Sequence, residues 1–329
     1  MEAKYWHLES DQTVQCRLCP HACRIAPGRT GRCGVRRAVD GRLVAEGYGM
    51  ISSAHLDPVE KKPLYHFHPG STIFSIGGWG CNLTCQCCQN WNISQRGVDQ
   101  GNVVLPDHVA SEARQCGAVG VAYTYNEPLI GYEYVFDCAR AVRAAGLVNV
   151  LVTNGFVALD PLNELIPWVN AMNIDLKSMD DAYYRRFCGA RLQPVLDCIV
   201  RSCEAGIHVE LTTLVITGIN DTDDHFRRLA DWVAEHAGRR VPLHLSAYHP
   251  DYRMTEPRTP SETLERGYRI CRERLSYVYL GNVRGPVGCD TVCPDCATPW
   301  VRRSGYTVQC EPFRERACPG CGRPVDLVI

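Results

Sequence analysis

Residues 80–91 read GCNLTCQCCQNW. Three of the four cysteines, Cys81, Cys85 and Cys88, give CxxxCxxC directly after a β-rich run, Thr72–Gly78. Three thiolates on one loop can hold three irons of a cubane [4Fe–4S] cluster. The fourth iron then has no protein ligand and is open to a substrate or cofactor, whereas four cysteines make a closed electron-transfer site. Cys87 is the other possible third ligand, and a zinc site is the competing reading of the loop alone. Further polar residues stand at the ends of other β-rich runs: Asn126 and Glu127, Thr153 and Asn154, Asp175 and Lys177, and His249. Asp175 and Lys177 are two apart, so a strand places them on one face.

These residues need a scaffold that gathers strand ends. After Thr72–Gly78 the β-rich runs are Gly120–Glu127, Asn149–Asn154, Ala171–Lys177, His208–Ile216, Pro242–Tyr248 and Tyr277–Asn282. Helical patterns intervene near Asp107–Cys116, Gly131–Ala145, Pro194–Ala205, Asp224–Ala237 and Ser261–Leu275, the last with Ser261 as an expected N-cap. Alternating strands and helices predict a parallel sheet with right-handed crossovers. The units are too few for eight strands, so the expected architecture is α/β, a partial (β/α)6-type TIM barrel with the active site at its C-terminal strand ends. The expected divisions are a cysteine-rich module at 1–54, the barrel at 55–285 and a C-terminal four-cysteine ribbon, zinc-ribbon or rubredoxin-like, at 286–329.

The bulk properties set limits. The chain has 329 residues, 45% of them hydrophobic, and a formal net charge of −1, so no global field recruits nucleic acid or an acidic membrane. No apolar run approaches the ~18 residues of a membrane span. Met1–Gln15 is polar and lacks the apolar core of a signal peptide. The expectation is a cytoplasmic protein. Its 20 cysteines, in so long an unexported chain, point to metal ligation rather than disulfides. Cys116, Cys138, Cys188, Cys198, Cys203 and Cys271 are scattered singly and read as small buried hydrophobes.

CxxxCxxC after the first strand of a partial barrel resembles the signature of the radical S-adenosylmethionine (SAM) superfamily. The resemblance selects Cys88 over Cys87 and implies SAM chelating the open iron, with reductive C–S cleavage to a 5′-deoxyadenosyl radical. It implies that Glu127, helped by Asn126, receives the SAM ammonium, which has donors only. Thr153 and Asn154 stand where ribose hydroxyls are bound. Asp175 and Lys177 resemble the Asp-x-Lys pair of glycyl-radical activases, and His249 resembles a SAM-contacting residue of that group. Cys16–Arg36 (CRLCPHACRIAPGRTGRCGVR), Asp57–Gly70 (DPVEKKPLYHFHPG), CQNW, YTYNEP, NIDLK, YLGN and the terminal paired CxxC together resemble the radical SAM component of the AmmeMemoRadiSam system, related to pyruvate formate-lyase activating enzyme. That implies an electron donor such as flavodoxin or ferredoxin, and Memo-like and AMMECR-type proteins as partners.

Two further cysteine groups flank the barrel. Cys293 and Cys296, then Cys318 and Cys321, form two CxxC knuckles suited to a tetrahedral four-thiolate site for Zn²⁺ or a single iron, with Cys289 and Cys310 spare. Five arginines and five acidic residues between Cys289 and Ile329 lack the basic footprint of a nucleic-acid binder. At the other end, Cys16, Cys19, Cys23 and Cys33 suit zinc or an auxiliary [4Fe–4S] cluster equally. His55, His66 and His68 read as packing. Three functions follow: a radical SAM enzyme abstracting hydrogen from an unidentified substrate, a glycyl radical enzyme activase, and a non-redox zinc-binding interaction or nucleic-acid adaptor protein.

Overall fold

The computed structural model describes every residue except 10, 99–102, 284 and 314–315. Three short N-terminal strands, β1 (Trp6–Leu8), β2 (Val14–Cys16) and β3 (Arg24–Ile25), pair antiparallel in the order β1-β2-β3. A hairpin follows, β4 (Arg36–Val39) and β5 (Arg42–Ala45). Its two-residue turn, Asp40–Gly41, has φ of 49° and 72°, the left-handed pair that Asp-Gly adopts readily and that matches strand twist.

The main sheet has eight strands: β6 (Ser53–Pro58), β7 (Thr72–Gly77), β8 (Gly120–Tyr123), β9 (Val148–Thr153), β10 (Ala171–Asp175), β11 (His208–Val215), β12 (Leu243–Ala247) and β13 (Val278–Gly281). They lie in sequence order; β7 to β13 run parallel and β6 antiparallel to β7. The two ends, β6 and β13, do not pair, so the barrel is open. All seven parallel strands occupy the predicted β-rich runs. β6 was not foreseen, because its centre, Ala54–Leu56, is exposed on consecutive residues and shows no alternation. It begins two residues before the expected start of the barrel at 55.

The helices are α1 (Trp91–Ser94), α2 (Pro106–Gln115), α3 (Tyr132–Ala144), α4 (Leu159–Leu165), α5 (Asp181–Tyr183), α6 (Gln193–Glu204), α7 (Asp223–Trp232) and α8 (Ser261–Arg272). Ser261 is not the N-cap of α8. Pro260 holds that position in extended geometry (φ −63°, ψ 147°), and no side chain caps the helix. The short α4 escaped notice because it spans only seven residues and contains Pro161.

Strand register separates the two faces. Met172 of β10 meets Ser202 of α6 at 3.4 Å, so its face is covered by helices. The opposite face lines the barrel lumen and carries Asp57, Ser75, Asn173, Glu210 and His244, all buried. Glu210 accepts hydrogen bonds from the Tyr65 and His66 amides (3.0 and 2.7 Å), from His208 Nε2 (3.0 Å) and from His244 Nε2 (2.7 Å). These donors hold its carboxyl well below the usual range despite burial.

The C-terminal strands β14 (Thr291–Val292), β15 (Pro299–Ser304) and β16 (Thr307–Cys310) form a small antiparallel sheet. Its core residues Cys293, Trp300, Val301 and Cys318 pack with Tyr277 and Tyr279 from β13 and its approach. Among the described residues no helix is long and apolar enough to cross a membrane.

His66 ties barrel and C-terminal segment together. Its Nδ1–H donates to Asp326 O (2.7 Å), and its Nε2 accepts from Tyr279 OH (2.6 Å), the pattern of neutral imidazole. Burial pushes its pKa down to about 4. The unfolded state therefore binds a proton that the folded state refuses, and stability falls as pH drops from 6.5 toward 4, by about 3 kcal/mol in full. Chemical denaturation across that window measures the slope. A His66→Gln chain is expected to lose this part of it, and an unchanged slope in the variant would assign the acid sensitivity elsewhere.

Candidate functional site

The cysteine loop leaves β7 at Gly77 and is tied down along its length. Gly80 has φ of +78°, and a Cβ there would stand 2.3 Å from Cys33 O, so only glycine fits. The Gly80 amide donates to Ile93 O (2.9 Å), Thr84 N to Cys188 O (2.9 Å), Gln86 N to Phe187 O (3.0 Å) and Arg253 N to Gln86 O (3.0 Å). Leu83 N donates to Cys81 Sγ (3.3 Å), and Cys88 Sγ meets Ser94 Oγ of α1 at 3.1 Å. The loop thus rests on the π-helical turn Tyr184–Cys188, an element that recurs at functional sites.

The seven polar candidates all lie at the C-terminal ends of strands around this loop. Asn126 clasps its entry, accepting from Gly78 N (2.9 Å) and donating to Trp79 O (3.2 Å) and Gly80 O (3.0 Å). Asn154 Nδ2 points to Cys81 Sγ (3.6 Å) and donates to Asn82 Oδ1 (3.0 Å). Asp175 and Lys177 pair at 2.7 Å. His249, on the far rim, meets Gln89 Nε2 through Nδ1 at 3.2 Å.

Glu127 and Thr153 do not present themselves to a ligand as expected. The Glu127 carboxylate is 3% exposed and accepts from Leu129 N (3.0 Å), Thr153 Oγ1 (2.7 Å) and Asn154 N (2.7 Å). Three of its roughly four lone-pair sites are taken. It braces the end of β8 against the end of β9, and Thr153 spends its hydroxyl on that brace. Burial pushes the carboxyl up to about 7, against the three donors.

Charge around the loop is uneven. Cys85 is drawn down to about 7, first by a hydrogen bond from the Cys188 thiol and then by the Lys177 ammonium, which together outweigh burial. Burial pushes Cys81 and Cys88 up. Lys177 is itself disfavoured by burial, but Asp175 and the neighbouring thiols hold it charged. Cys188 sits beside the loop although its sequence context marks only a buried cysteine. Asn82, Gln89 and Ser94 were likewise not singled out, being ordinary polar residues until the fold assembles them.

The C-terminal group is drawn tightly together. Cys293, Cys296, Cys318 and Cys321 have all four sulfurs within 4.8 Å of one another, with Cys293–Cys321 at 3.6 Å and Cys296–Cys318 at 3.7 Å. A tetrahedral ion with metal–sulfur bonds of about 2.3 Å sets its sulfurs about 3.8 Å apart. The two knuckles repeat one geometry. Ala297 N donates to Cys293 O and Gly322 N to Cys318 O, both at 2.9 Å, with φ of 60° at Ala297 and 76° at Gly322. Cys289 and Cys310 lie outside this group. Among the described residues no other set of three or more Cys, His, Asp or Glu ligand atoms closes to that distance. The sulfurs of Cys81, Cys85 and Cys88 thus do not close to the spacing of a single-ion site. Cys16, Cys19, Cys23 and Cys33 border one cavity beneath the N-terminal strands. His66 is spent on Tyr279 and Asp326, and His55 packs edge-on against Tyr125.

An open α/β barrel carrying a cysteine loop with CxxxCxxC spacing at the C-terminal end of its first parallel strand defines a class of cofactor-dependent enzyme. Residues 76–233 match the radical SAM superfamily. An uncharacterized protein of Methanocaldococcus jannaschii is 38% identical over 334 residues, covering 100% of this chain and 99% of its own length. The pyruvate formate-lyase 1-activating enzyme of Escherichia coli is 25% identical over 210 residues, 57% of this chain and 83% of that enzyme. A radical SAM methyltransferase from Sphaerobacter thermophilus shares the fold, with a TM-score of 0.50 at 17% identity over 66% of this chain and 68% of that one. The chain belongs to the radical SAM superfamily, and it is an enzyme that cleaves S-adenosylmethionine to generate a radical. Its cofactors are accordingly a [4Fe–4S] cluster and SAM, and its chemistry draws one electron from a reductant.

The tetrahedral C-terminal group makes its own prediction. A Cys293→Ser/Cys318→Ser chain is expected to lose about one bound metal ion while keeping its acid-labile sulfide, because a single ion held by four thiolates carries none. Elemental analysis beside a sulfide assay reads both. Loss of sulfide in step with the metal would mean that these knuckles hold a cluster instead.

Proposed function

We propose that Cys81, Cys85 and Cys88 hold the [4Fe–4S] cluster at which this enzyme cleaves SAM, and that the radical formed abstracts hydrogen from a substrate entering through the open side of the barrel. The observation that carries this reading is the CxxxCxxC loop at the strand ends, with the Asp175–Lys177 ion pair near enough for its ammonium to favour the Cys85 thiolate. Bound together, cluster and SAM supply one-electron scission of a sulfonium C–S bond. The chain's own residues do the rest. Asn126 fixes the loop entry, the Glu127 brace sets the Asn154 amide against Cys81, and Lys177 with Asp175 offers a charge pair to the amino and carboxylate groups of the cofactor. His249 stands at the rim with Gln89.

The lumen opens between β13, its following loop and the C-terminal sheet. A cleft of about 1090 Å³ there is bordered by Lys61, Tyr65, His244, Arg258, Arg303 and Tyr306. Its breadth and its lining of Arg258, Arg303 and Lys61 suit a large or anionic substrate. Twenty cysteines, none in a disulfide, suit the reducing cytoplasm, where flavodoxin or ferredoxin is the expected electron donor. The sequence combination of the AmmeMemoRadiSam system supports Memo-like and AMMECR-type proteins as partners.

A second reading, activation of a glycyl radical enzyme, is favoured by the similarity to the Escherichia coli activating enzyme and by the Asp175–Lys177 pair. Mixing the reduced enzyme and SAM with a candidate partner tests it. A protein-based glycyl radical by EPR supports that substrate class, and a substrate-derived product with no such radical rejects it.

The primary test is anaerobic reconstitution with iron and sulfide, reduction in the presence of SAM, and quantification of 5′-deoxyadenosine. Cys81→Ala/Cys85→Ala/Cys88→Ala is expected to reduce product to background. Lys177→Ala is expected to weaken SAM binding by roughly tenfold, in keeping with loss of one charge-assisted contact worth about 1.5 kcal/mol. Cleavage that persists in the triple variant would overturn the assignment of the loop.

A further inference from the structure

The N-terminal cysteines allow a choice that their spacing leaves open. Cys16 ends β2, Cys19 and Cys23 stand in the turn to β3, and Cys33 lies in the loop before β4. That turn is closed by hydrogen bonds from Ala22 N to Cys19 O (3.0 Å) and from Cys16 N to Cys23 O (2.9 Å). All four cysteines border one cavity, which Ile25, Arg36 and Asn82 also line. Yet no three of their sulfurs fall within 4.8 Å of one another. The C-terminal cysteines, in the same chain, do close to tetrahedral spacing, so the contrast between the two groups is internal.

A second feature points to an anionic occupant. Arg36, 1% exposed, borders the cavity. Its terminal nitrogens are engaged by Glu133, at 3.0 Å each, and by Lys4 O at 2.6 Å, but its Nε has no partner. A buried, unpaired guanidinium N–H costs about 1–3 kcal/mol unless something accepts it. Glu133 neutralises one charge at most and leaves that donor unspent. An acceptor within the cavity, such as a thiolate or sulfide, would satisfy it.

We propose that Cys16, Cys19, Cys23 and Cys33 bind a second [4Fe–4S] cluster, not zinc, with Arg36 Nε donating to its sulfur shell. Four thiolates on four separate irons stand farther apart than four thiolates on one ion, and a cavity, rather than a point of convergence, is what such a cluster needs. The site also adjoins the first cluster loop. Asn82, the residue after Cys81, lines the same cavity, and its carbonyl accepts from His21 Nε2–H at 2.7 Å. On the other side Gly80 packs directly on Cys33 O. The two cluster sites are therefore neighbours across residues 80–82.

The test uses the full chain with Cys81→Ala/Cys85→Ala/Cys88→Ala, reconstituted anaerobically with ferrous iron and sulfide in the presence of equimolar zinc. It rests on the assignment of that loop above only for the choice of variant. The expected result is about four irons and four sulfides retained per chain, beside the single C-terminal ion, against about eight sulfides in the unsubstituted protein. Adding Cys19→Ser and Cys33→Ser is expected to abolish the remaining sulfide while the C-terminal ion stays bound. A triple variant free of sulfide, with zinc or nothing at the N-terminal cysteines, would overturn the second cluster. If the unsubstituted protein then still held about four sulfides, the first cluster would stand; if it held none, both assignments would fall. Sulfide persisting after the two N-terminal substitutions would overturn the ligand set.

Discussion

A buried carboxylate holds the working end of the barrel together. Glu127 receives Leu129 N, Thr153 Oγ1 and Asn154 N, and through them joins the loop after β8 to the loop after β9. Taking an ionised group out of water is costly unless its lone pairs are filled. Here three donors fill them, and two are backbone amides that cannot be repositioned without moving the strands. Asn154, fixed by this contact, reaches Cys81 and Asn82, and Asn126, one residue before the carboxylate, clasps Trp79 and Gly80. Removing the carboxylate would leave buried amides without acceptors, so the geometry of the cysteine loop depends on a residue that offers a ligand at most one free lone pair.

The open barrel explains why the lumen is polar. A closed eight-stranded barrel of this kind fills its centre with branched apolar side chains. This eight-stranded sheet does not close, and beside Ile73, Ala122, Val150 and Ala171 it places Asp57, Asn173, Glu210 and His244 inside, each with partners. Asp57 pairs with Lys61 and Lys62 at 2.8 and 2.7 Å, and Glu210 takes four donors. Such networks fix one arrangement because any alternative packing strands a charge. They lie deeper than the strand ends and join the segment before β7 to the far side of the sheet. This keeps an unclosed barrel rigid while its side stays open.

The architecture was legible because it rests on repetition. Seven apolar runs alternating with amphipathic stretches allow few topologies, and each run became a strand. β6 was hidden because its edge position removes the alternation that marks a strand, and α4 because Pro161 and its short length erase helical periodicity. The cysteine loop was legible through spacing alone. The polar residues at strand ends were located correctly by the same logic, since a parallel barrel gathers them. Their partners were not. Whether Glu127 faces a ligand or a backbone amide depends on the turn at Tyr125, which holds a φ of 69°, unusual for a tyrosine. Cys188 carried no signal because its role comes only from the π-helical turn that carries it to Cys85.

The three cysteine groups show what sequence spacing does and does not specify. CxxC knuckles force convergence, because each pair lies on one tight turn and two turns face each other through β14–β16. The outcome is four sulfurs within 4.8 Å of one another, two pairs of them at 3.6 and 3.7 Å. The N-terminal group has one CxxC as well, Cys16 and Cys19, yet no three of its sulfurs come within 4.8 Å of one another. Its other two members arrive from different directions, Cys23 across the β2–β3 turn and Cys33 from the approach to β4, and Ile25 and the buried Arg36 border the same cavity. How closely four cysteines converge is thus set by how the flanking strands hold the turns, a property of packing that a count of intervening residues does not contain.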